Sequence, residues 1–481
     1  MAHSSPNELG HNIISTGISR FDSPATEGLA YTQMAVHWNL PQDLVGGTRQ
    51  MRKKGRTWLP QNPRESDKAY EARLKRTFLL NTYKRTVDSL AAQPFIKAVQ
   101  VDNVPPELQY LEEDADSTGR SLTEIAHETL WNQIHFGLGH ILVDHPQVEG
   151  EISLAEQRQL KIRPYFNPIS PEYLIFHDGD RVGGVDVLQE VRFLEYTVER
   201  LDDSFMEDYV QRVRSITPDD FTTYLTSHPS VDTPYEQESS ADNQLGFVPL
   251  VTAYGNKTGF MTGKPALEDL AWLNLRHWQT SSEQANILHV IRVPILVAKG
   301  FGEGELDGME IGGDKAIVTS NSDAEVEYAE HSGAAVGAGA EDLEKLEKQM
   351  STMGADLLFS KSVDRQTATA RQIDKSESLS TIQLFLRSLE SSIENAYRIA
   401  GEWAGVDASA VKVSVGDDMA LPGAEANSVE DILNLNERGM ISDSIVLSEL
   451  RRRGILSQSS QEKNESAEFN ADNLNINTGG N

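Results

Sequence analysis

Cysteine is absent from all 481 residues. Disulfides, thiolate metal ligands and a cysteine nucleophile are excluded with it. Aromatic residues make up only 7 % and hydrophobic residues 38 %. That balance is low for a compact globule and suits an elongated chain, or a subunit that buries surface against its own copies. Long apolar runs are missing as well: the most apolar stretch, "ILHVIRVPILVAKGF", is broken by His289, Arg292 and Pro294 and does not fit a bilayer span. The opening residues "MAHSSPNELGHN" lack the apolar core of a signal peptide. Basic residues are in deficit, 43 against 73 acids, for a formal charge of −30. Most of such a surface repels nucleic acid. The expectation is a protein of roughly two to four domains, kept in a reducing, soluble compartment.

One segment reverses the charge. Between Arg49 and Arg85 twelve Lys or Arg face three acids, a net +9 that includes Arg52, Lys53, Lys54 and Arg56. Two readings are open. Either a helix over "YEARLKRTFLLNTYKRTVDSLA" pairs its cations with acids elsewhere, on this or a neighbouring subunit, or the segment touches nucleic-acid phosphates.

Along the chain, residues 1 to about 30 are polar and read as a mobile arm. Ser121 followed by Glu124 forms a capping box that opens a helix over 121–135, and "HFGLGHILVDHP" then turns to a strand. From about 160 to 255 alternating apolar segments separated by turn clusters such as "SPE", "TPDD" and "SSADNQ" predict strands. A long helix is expected from Pro265, placed at the first helical position, to about Ile291. Short strands "PILVAKG", "KAIVTS" and "AEVEYAE" follow, then "SGAAVGAGA" as a flexible connector. A second helix carries Leu343, Leu346, Met350, Met353 and Leu357 on one stripe, with Glu341–Lys345 and Glu344–Lys348 pairs outside. After a polar stretch, "FSKSVDRQTATARQ", a helix of some thirty residues runs to Trp403. A strand "VKVSV", a helical pair over 427–456 and a polar, disordered tail from 457 to 481 complete the reading. The fold class is α+β.

Three motifs suggest chemistry, and each is incomplete. "YGNKTGFMTGKPALEDL" resembles a phosphate loop, but Thr258 stands where its first glycine belongs, and Pro265 follows Gly263-Lys264 where a magnesium-binding hydroxyl is required. "DADSTGRSLTEI" puts Asp114, Asp116 and Gly119 at calcium-loop positions, yet the twelfth residue is Ile125 and Glu124 already serves the capping box. His127, His135, His140 and His145, with Asp144 nearby, lie eight, five and five residues apart, matching no usual helix-face metal pair. A nucleophile elbow, HExxH, a kinase set and a dinucleotide fingerprint are all missing. A soluble nucleotide- or metal-dependent enzyme using the 254–270 loop or the His127–His145 cluster is the alternative reading. No cofactor is implied.

The order of elements resembles the portal proteins of tailed double-stranded DNA bacteriophages. "YEARLKRTFLLNTYKRTVDSLAAQPF" looks like a wing helix, and "FGLGHILVDHP" with "IRPYFNPISPEYLI" like the first wing sheet. "FVPLVTAYGNKTGFMTGKPALEDLAWLNLRHWQ" is similar to the strand, loop and stem helix that lead into a portal clip. The resemblance covers about residues 40–456. It implies a non-enzymatic ring, usually of twelve subunits, at one capsid vertex of the virion, assembled in the host bacterial cytoplasm. The implied parts are a flexible arm (1–35), an α+β wing (36–264), stem helices (265–291 and 340–358) and a clip (292–339). A tunnel loop (359–371), a long wing helix with a strand (372–426), ending at Gly401–Val406, and a crown (427–456) complete them. The implied partners are double-stranded DNA, the terminase large subunit, head-completion proteins, the major capsid protein and scaffold, with no membrane. Lys361, Arg365 and Arg371 would line the DNA channel, or else be exposed or paired between subunits.

Overall fold

The structure is a computed structural model that describes residues 23–146, 162–200, 205–226, 235–291, 295–301, 323–329, 334–356 and 368–416. The chain divides into two compact units, Met1–Gly416 and Asp417–Asn481, and every described residue belongs to the first. The expected crown, the tail, most of the N-terminal arm and the strand "KAIVTS" lie outside the described residues.

Helices α1 (Leu29–Val45), α2 (Gly47–Lys54), α3 (Asp67–Arg76) and α4 (Thr82–Ala92) open the unit. Strand β1 (Gln100–Asp102), helix α5 (Leu122–Phe136) and strands β2 (Leu138–Asp144), β3 (Tyr165–Ile169) and β4 (Leu174–Val182) come next. The strands continue as β5 (Val185–Arg200), β6 (Glu207–Ile216), β7 (Asp220–Thr226), β8 (Glu236–Asp242), β9 (Leu250–Tyr254), β10 (Lys257–Gly259) and β11 (Thr262–Gly263). Helix α6 (Glu268–Ile291), strands β12 (Ile295–Lys299) and β13 (Glu325–Ala329), helices α7 (Ala334–Asp356) and α8 (Ala368–Ala404), and strand β14 (Lys412–Ser414) complete it. The α+β class holds.

Two sheets organise the body: an antiparallel three-stranded sheet in the order β3-β2-β9 and a five-stranded meander β4-β5-β6-β7-β8. All seven residues of β2 are buried, because α5 and α8 close over its sheet. Leu142, Ile169 and Leu250 from the first sheet meet Leu174, Phe193 and Phe221 from the second in one cluster, against which Trp403 of α8 packs. A polar staple joins the sheets through that layer. Arg214 on β6 donates two hydrogen bonds to Asp144 on β2, at 2.6 and 2.8 Å, and Tyr165 on β3 donates a third at 2.9 Å. Burial alone would raise the Asp144 pKa; the adjacent guanidinium and these donors hold it below its ordinary value.

The capping box forms as expected: Ser121 N donates to Glu124 Oε2 at 2.8 Å and Glu124 N to Ser121 Oγ at 3.4 Å. The helix ends where Gly137 takes φ +92°, the left-handed cap that glycine adopts without strain.

Several expectations need correction. The single helix over 70–91 is two, broken at 77–81. Thr77 turns extended and its carbonyl accepts from Arg52 Nε at 3.0 Å, Asn81 caps α4, and Asn274 on α6 holds both Leu80 O and Tyr83 N at 2.9 Å. Helix α1 was not foreseen, and Pro41 sits inside it. "IRPYFNPISPEYLI" is divided between sheets, β3 in the first and β4 in the second. The turn cluster "SSADNQ" contributes to strand β8, whose ladder with β7 supplies what its polar sequence does not signal. Pro265 precedes the helix, which begins at Glu268. "SGAAVGAGA" enters α7 from Ala334 onward and is helix rather than a flexible connector, with Gly339 lying against the Gln284 side chain of α6.

Candidate functional site

The candidate is the unit that runs from α6 to α8. The first turns of α6 are core: Leu270, Ala271, Leu275 and Trp278 are buried, and Glu268 accepts from His37 of α1 at 2.8 Å and pairs with Lys264 at 2.9 Å. Those two hydrogen bonds outweigh burial and hold the Glu268 carboxyl below its ordinary range. Farther along, α6 lies against α7. Gln284 Nε2 donates to Val336 O at 2.9 Å, His277 Nε2 meets Glu347 Oε1 at 3.4 Å, and Arg276 reaches Asp342 at 4.0 Å. Residue numbers fall on one helix as they rise on the other, so the pair is antiparallel.

Between them β12 and β13 form an antiparallel hairpin in register Ile295↔Ala329 to Lys299↔Glu325 and pair with no other described strand. On α7 Leu346 and Met350 are buried while Met353 is exposed, so the stripe is narrower than expected, and Leu357 lies outside the described residues. Neither the Glu341–Lys345 nor the Glu344–Lys348 pair closes; the ion pairs of this helix reach across to α6 instead. Helix α8 buries Ile382, Phe385, Leu386, Leu389, Ile393, Tyr397 and Ala400 at three- and four-residue steps. It closes with Gly405 at φ +69° and Val406 N donating to Gly401 O at 2.9 Å.

Lys361 and Arg365 lie outside the described residues. Arg371 falls within α8 rather than in the loop before it.

The basic segment is largely occupied within its own subunit. Arg52 binds the Thr77 carbonyl, Lys54 sits 3.6 Å from Asp43, and Arg56 pairs with Asp67 at 2.7 Å while lying over the Tyr70 ring. Lys53 is exposed. Arg73, buried, grips Glu65 at 2.8 Å through both Nε and Nη2 and reaches Ser282 on α6. Lys54, Arg56 and Arg73 thus pair with acids, while Arg52 is taken up by a backbone carbonyl. Their acids come mostly from the same segment, which the sequence left unspecified.

The glycine-rich loop has a structural task. Its backbone donors cap the end of α5: Gly255 N and Asn256 N donate to Gly137 O at 3.0 and 3.1 Å, and Ala266 N to Ile134 O at 3.3 Å. They face the negative end of a helix, the wrong polarity for a phosphate. A Cβ on Gly263 would stand 2.5 Å from Gly137 O and one on Gly255 2.3 Å from Gln133 O. Backbone meets backbone here, and Lys264 is spent on Glu268.

The histidines disperse. His127 packs edge-on to Phe95 beside an open groove, and His145 stacks on Trp403 with ring centres 5.1 Å apart. His135 is buried against Trp131 and meets Tyr83 OH at 3.0 Å, while His140 meets Thr252 Oγ1 at 2.9 Å. Burial pushes both of these down to about 3, so they are neutral side chains of the core. Asp114 and Asp116 accept from the N–H groups of Gly119 and Thr118 in their own loop, and Asp114 also from Arg163. Among the described residues no group of three or more such side chains is placed to share a metal ion. No described helix is long and apolar enough to cross a membrane.

Sequence reasoning missed the Asp144–Arg214 staple. Its only trace is an arginine alternating with valine and isoleucine in "RVRSI", which does not name a partner seventy residues away.

Known proteins were compared with this chain. A family described as a domain of unknown function (DUF4055) matches residues 266–404, which is the unit from the start of α6 to the end of α8. No curated protein matches. Among solved structures, the chain is similar to one from the neck of a native GTA particle computed with C12 symmetry, at 12 % identity and TM-score 0.39, covering 84 % of this chain and 94 % of that one. It is also similar to one from the virion of a native gene transfer agent particle, at 13 % identity and TM-score 0.38, covering 78 % and 89 %. A third, from the neck of an empty GTA particle computed with C6 symmetry, has 10 % identity and TM-score 0.39, covering 78 % and 89 %.

Proposed function

We propose that this chain is the subunit of a portal-type ring, the conduit through which a double-stranded genome enters and leaves a capsid. The observation that carries the reading is the element order around the antiparallel α6–α7 pair: two long helices with the β12–β13 pair between them, then a polar segment, then the 37-residue α8. A helix with so narrow a buried stripe as α7 gains by packing against copies of itself. In this reading α6 and α7 are the stem and β12–β13 belongs to the clip, which receives terminase and head-completion proteins. The segment before and into α8 lines the channel, with Lys361, Arg365 and Arg371 touching phosphates transiently and without sequence preference. Twelve copies would carry on the order of −360 charges, so the wall repels the duplex and lets it slide.

Native mass spectrometry with negative-stain imaging of the purified chain tests the ring. The expected outcome is a closed ring of about twelve copies with a central hole; a chain that remains monomeric at high concentration sinks the reading. Changing Lys361, Arg365 and Arg371 together to Ala should leave the ring intact and reduce DNA packaged or retained per particle. Unchanged packaging would remove these three from the channel.

A further inference from the structure

Two exposed patches of opposite charge lie on different elements of the subunit. The first is the elbow between α3 and α4. Thr77 and Leu79 are buried there and pinned, the first by Arg52 Nε at 3.0 Å, the second by its N–H donating to Thr48 Oγ1 at 3.1 Å. Because alternate residues of an extended stretch face opposite ways, the pinning turns Phe78 and Leu80 outward, 68 % and 41 % exposed. Lys75 and Arg85 flank them, exposed and with no ion-pair partner among the described residues.

The second patch is the turn between β4 and β5. Gly183 and Gly184 take φ +60° and +88°, the two positive values of a tight hairpin turn. Val182 and Val185 sit opposite each other across it, 59 % and 65 % exposed. Asp180 and Asp178 share the face of these valines, exposed and likewise without an ion-pair partner among the described residues, while Arg181 and Asp186, opposite each other across the strands, occupy the other face. Apolar side chains rimmed by cations on one patch thus match apolar side chains rimmed by carboxylates on the other.

The two patches are held apart within one subunit. Helix α1 begins beside β4, where Gly28 N donates to Ile175 O at 2.8 Å, and ends at α2, next to the elbow. Its seventeen residues span about 25 Å. A contact between two different patches on separate copies is head-to-tail, the kind that closes into rings.

We propose that the β4–β5 turn of one subunit docks on the α3–α4 elbow of a second copy, seating Val182 and Val185 on Phe78 and Leu80 with Asp178 and Asp180 against Lys75 and Arg85. The assignment rests on the ring reading and names one interface within it.

The cysteine-free chain makes the test direct. Full-length Val185→Cys and Phe78→Cys proteins are mixed under mild oxidation and run on a non-reducing gel, with Leu384→Cys replacing either partner as control. The expected result is a cross-linked dimer from the mixture alone, well above either single protein and above the control. In parallel, Asp178→Lys/Asp180→Lys and Lys75→Glu/Arg85→Glu should each weaken self-association by on the order of a hundredfold, and the chain carrying all four changes should recover most of it. A wild-type ring that gives no cross-link above control, or a four-fold variant no better than its parents, overturns the interface and leaves the ring reading standing. A wild-type chain that stays monomeric overturns both.

Discussion

The body around β2 and the α6–α7 pair are built from helices of ordinary length by different rules. In α5 ten of fifteen residues are buried, and several of its polar groups are held inside the same subunit: Gln133 Nε2 donates to the Tyr254 carbonyl at 3.0 Å and Trp38 donates to Phe136 O at 3.0 Å. In α7 the described buried positions reduce to Leu346, Met350 and Gly354, and the ion pairs it makes run to α6. One region takes its stability from its own core. In the other, α6 is largely core and α7 presents most of its surface outward, which is the arrangement expected of an element whose neighbours belong to other copies.

The sharpest way to break that contrast is to remove one half of the staple. Asp144→Ala removes both hydrogen-bond acceptors of Arg214 and leaves it among Phe193, Phe221 and Tyr165 with Glu195, 3.7 Å away, as its remaining counter-charge. It should lower the stability of the body by about 3–5 kcal/mol in urea unfolding, while Asp144→Leu with Arg214→Met should recover most of that loss. A neutral Asp144→Ala would show that the two sheets hold together without it.

Next comes pH. His135 and His140 have folded pKa values near 3 against an ordinary 6.5, so below pH 6.5 the unfolded chain binds protons that the folded one refuses. Stability is therefore fully present above pH 6.5 and falls as the pH drops from there toward 3, by about 1.4 kcal/mol per unit for each histidine. Unfolding midpoints measured between pH 7 and 4.5 should flatten in His135→Gln/His140→Gln. A slope that persists unchanged would place its origin elsewhere, with the carboxylates.

The smallest effect is expected on α7. Glu344→Ala and Lys348→Ala, which lose no ion pair, should each shift subunit stability by no more than about 0.5 kcal/mol. A loss of several times that, at concentrations where the chain is not assembled, would mean that this face is core after all.

How far the sequence revealed all this depended on how local the cause was. The Ser121–Glu124 box and Gly137 fixed both ends of α5 from within six residues of each end. The apolar steps of α8 from Ile382 to Trp403 were legible because a single period of 3.6 persists over six turns. The break at 77–81 was not, because Arg52 and Asn274, on other helices, supply the hydrogen bonds that make it. Strand β8 was missed for a related reason: "EQESSAD" carries no apolar alternation, and only the β7 ladder makes it a strand. Among the candidate site residues, charge counting found the basic segment but not its partners. Distance in the chain hid that Glu65 answers Arg73 from the loop before α3 and that Asp67 answers Arg56 from its first turn.

By itself the sequence determined the α+β class, the absence of thiol chemistry, the acidic surface, and the departures at Thr258 and Pro265 that argue against a nucleotide loop. Those are properties of composition and of short-range spacing, which no packing alters. Tertiary structure decided the rest: that the glycines of that loop let backbone cap the end of α5, that four spaced histidines go to separate neighbourhoods, and that a glycine-rich "connector" becomes helix against Gln284. In each case the deciding group lies on another element. A hydrogen bond or a close backbone approach between distant segments leaves almost no mark on the period or composition of either one.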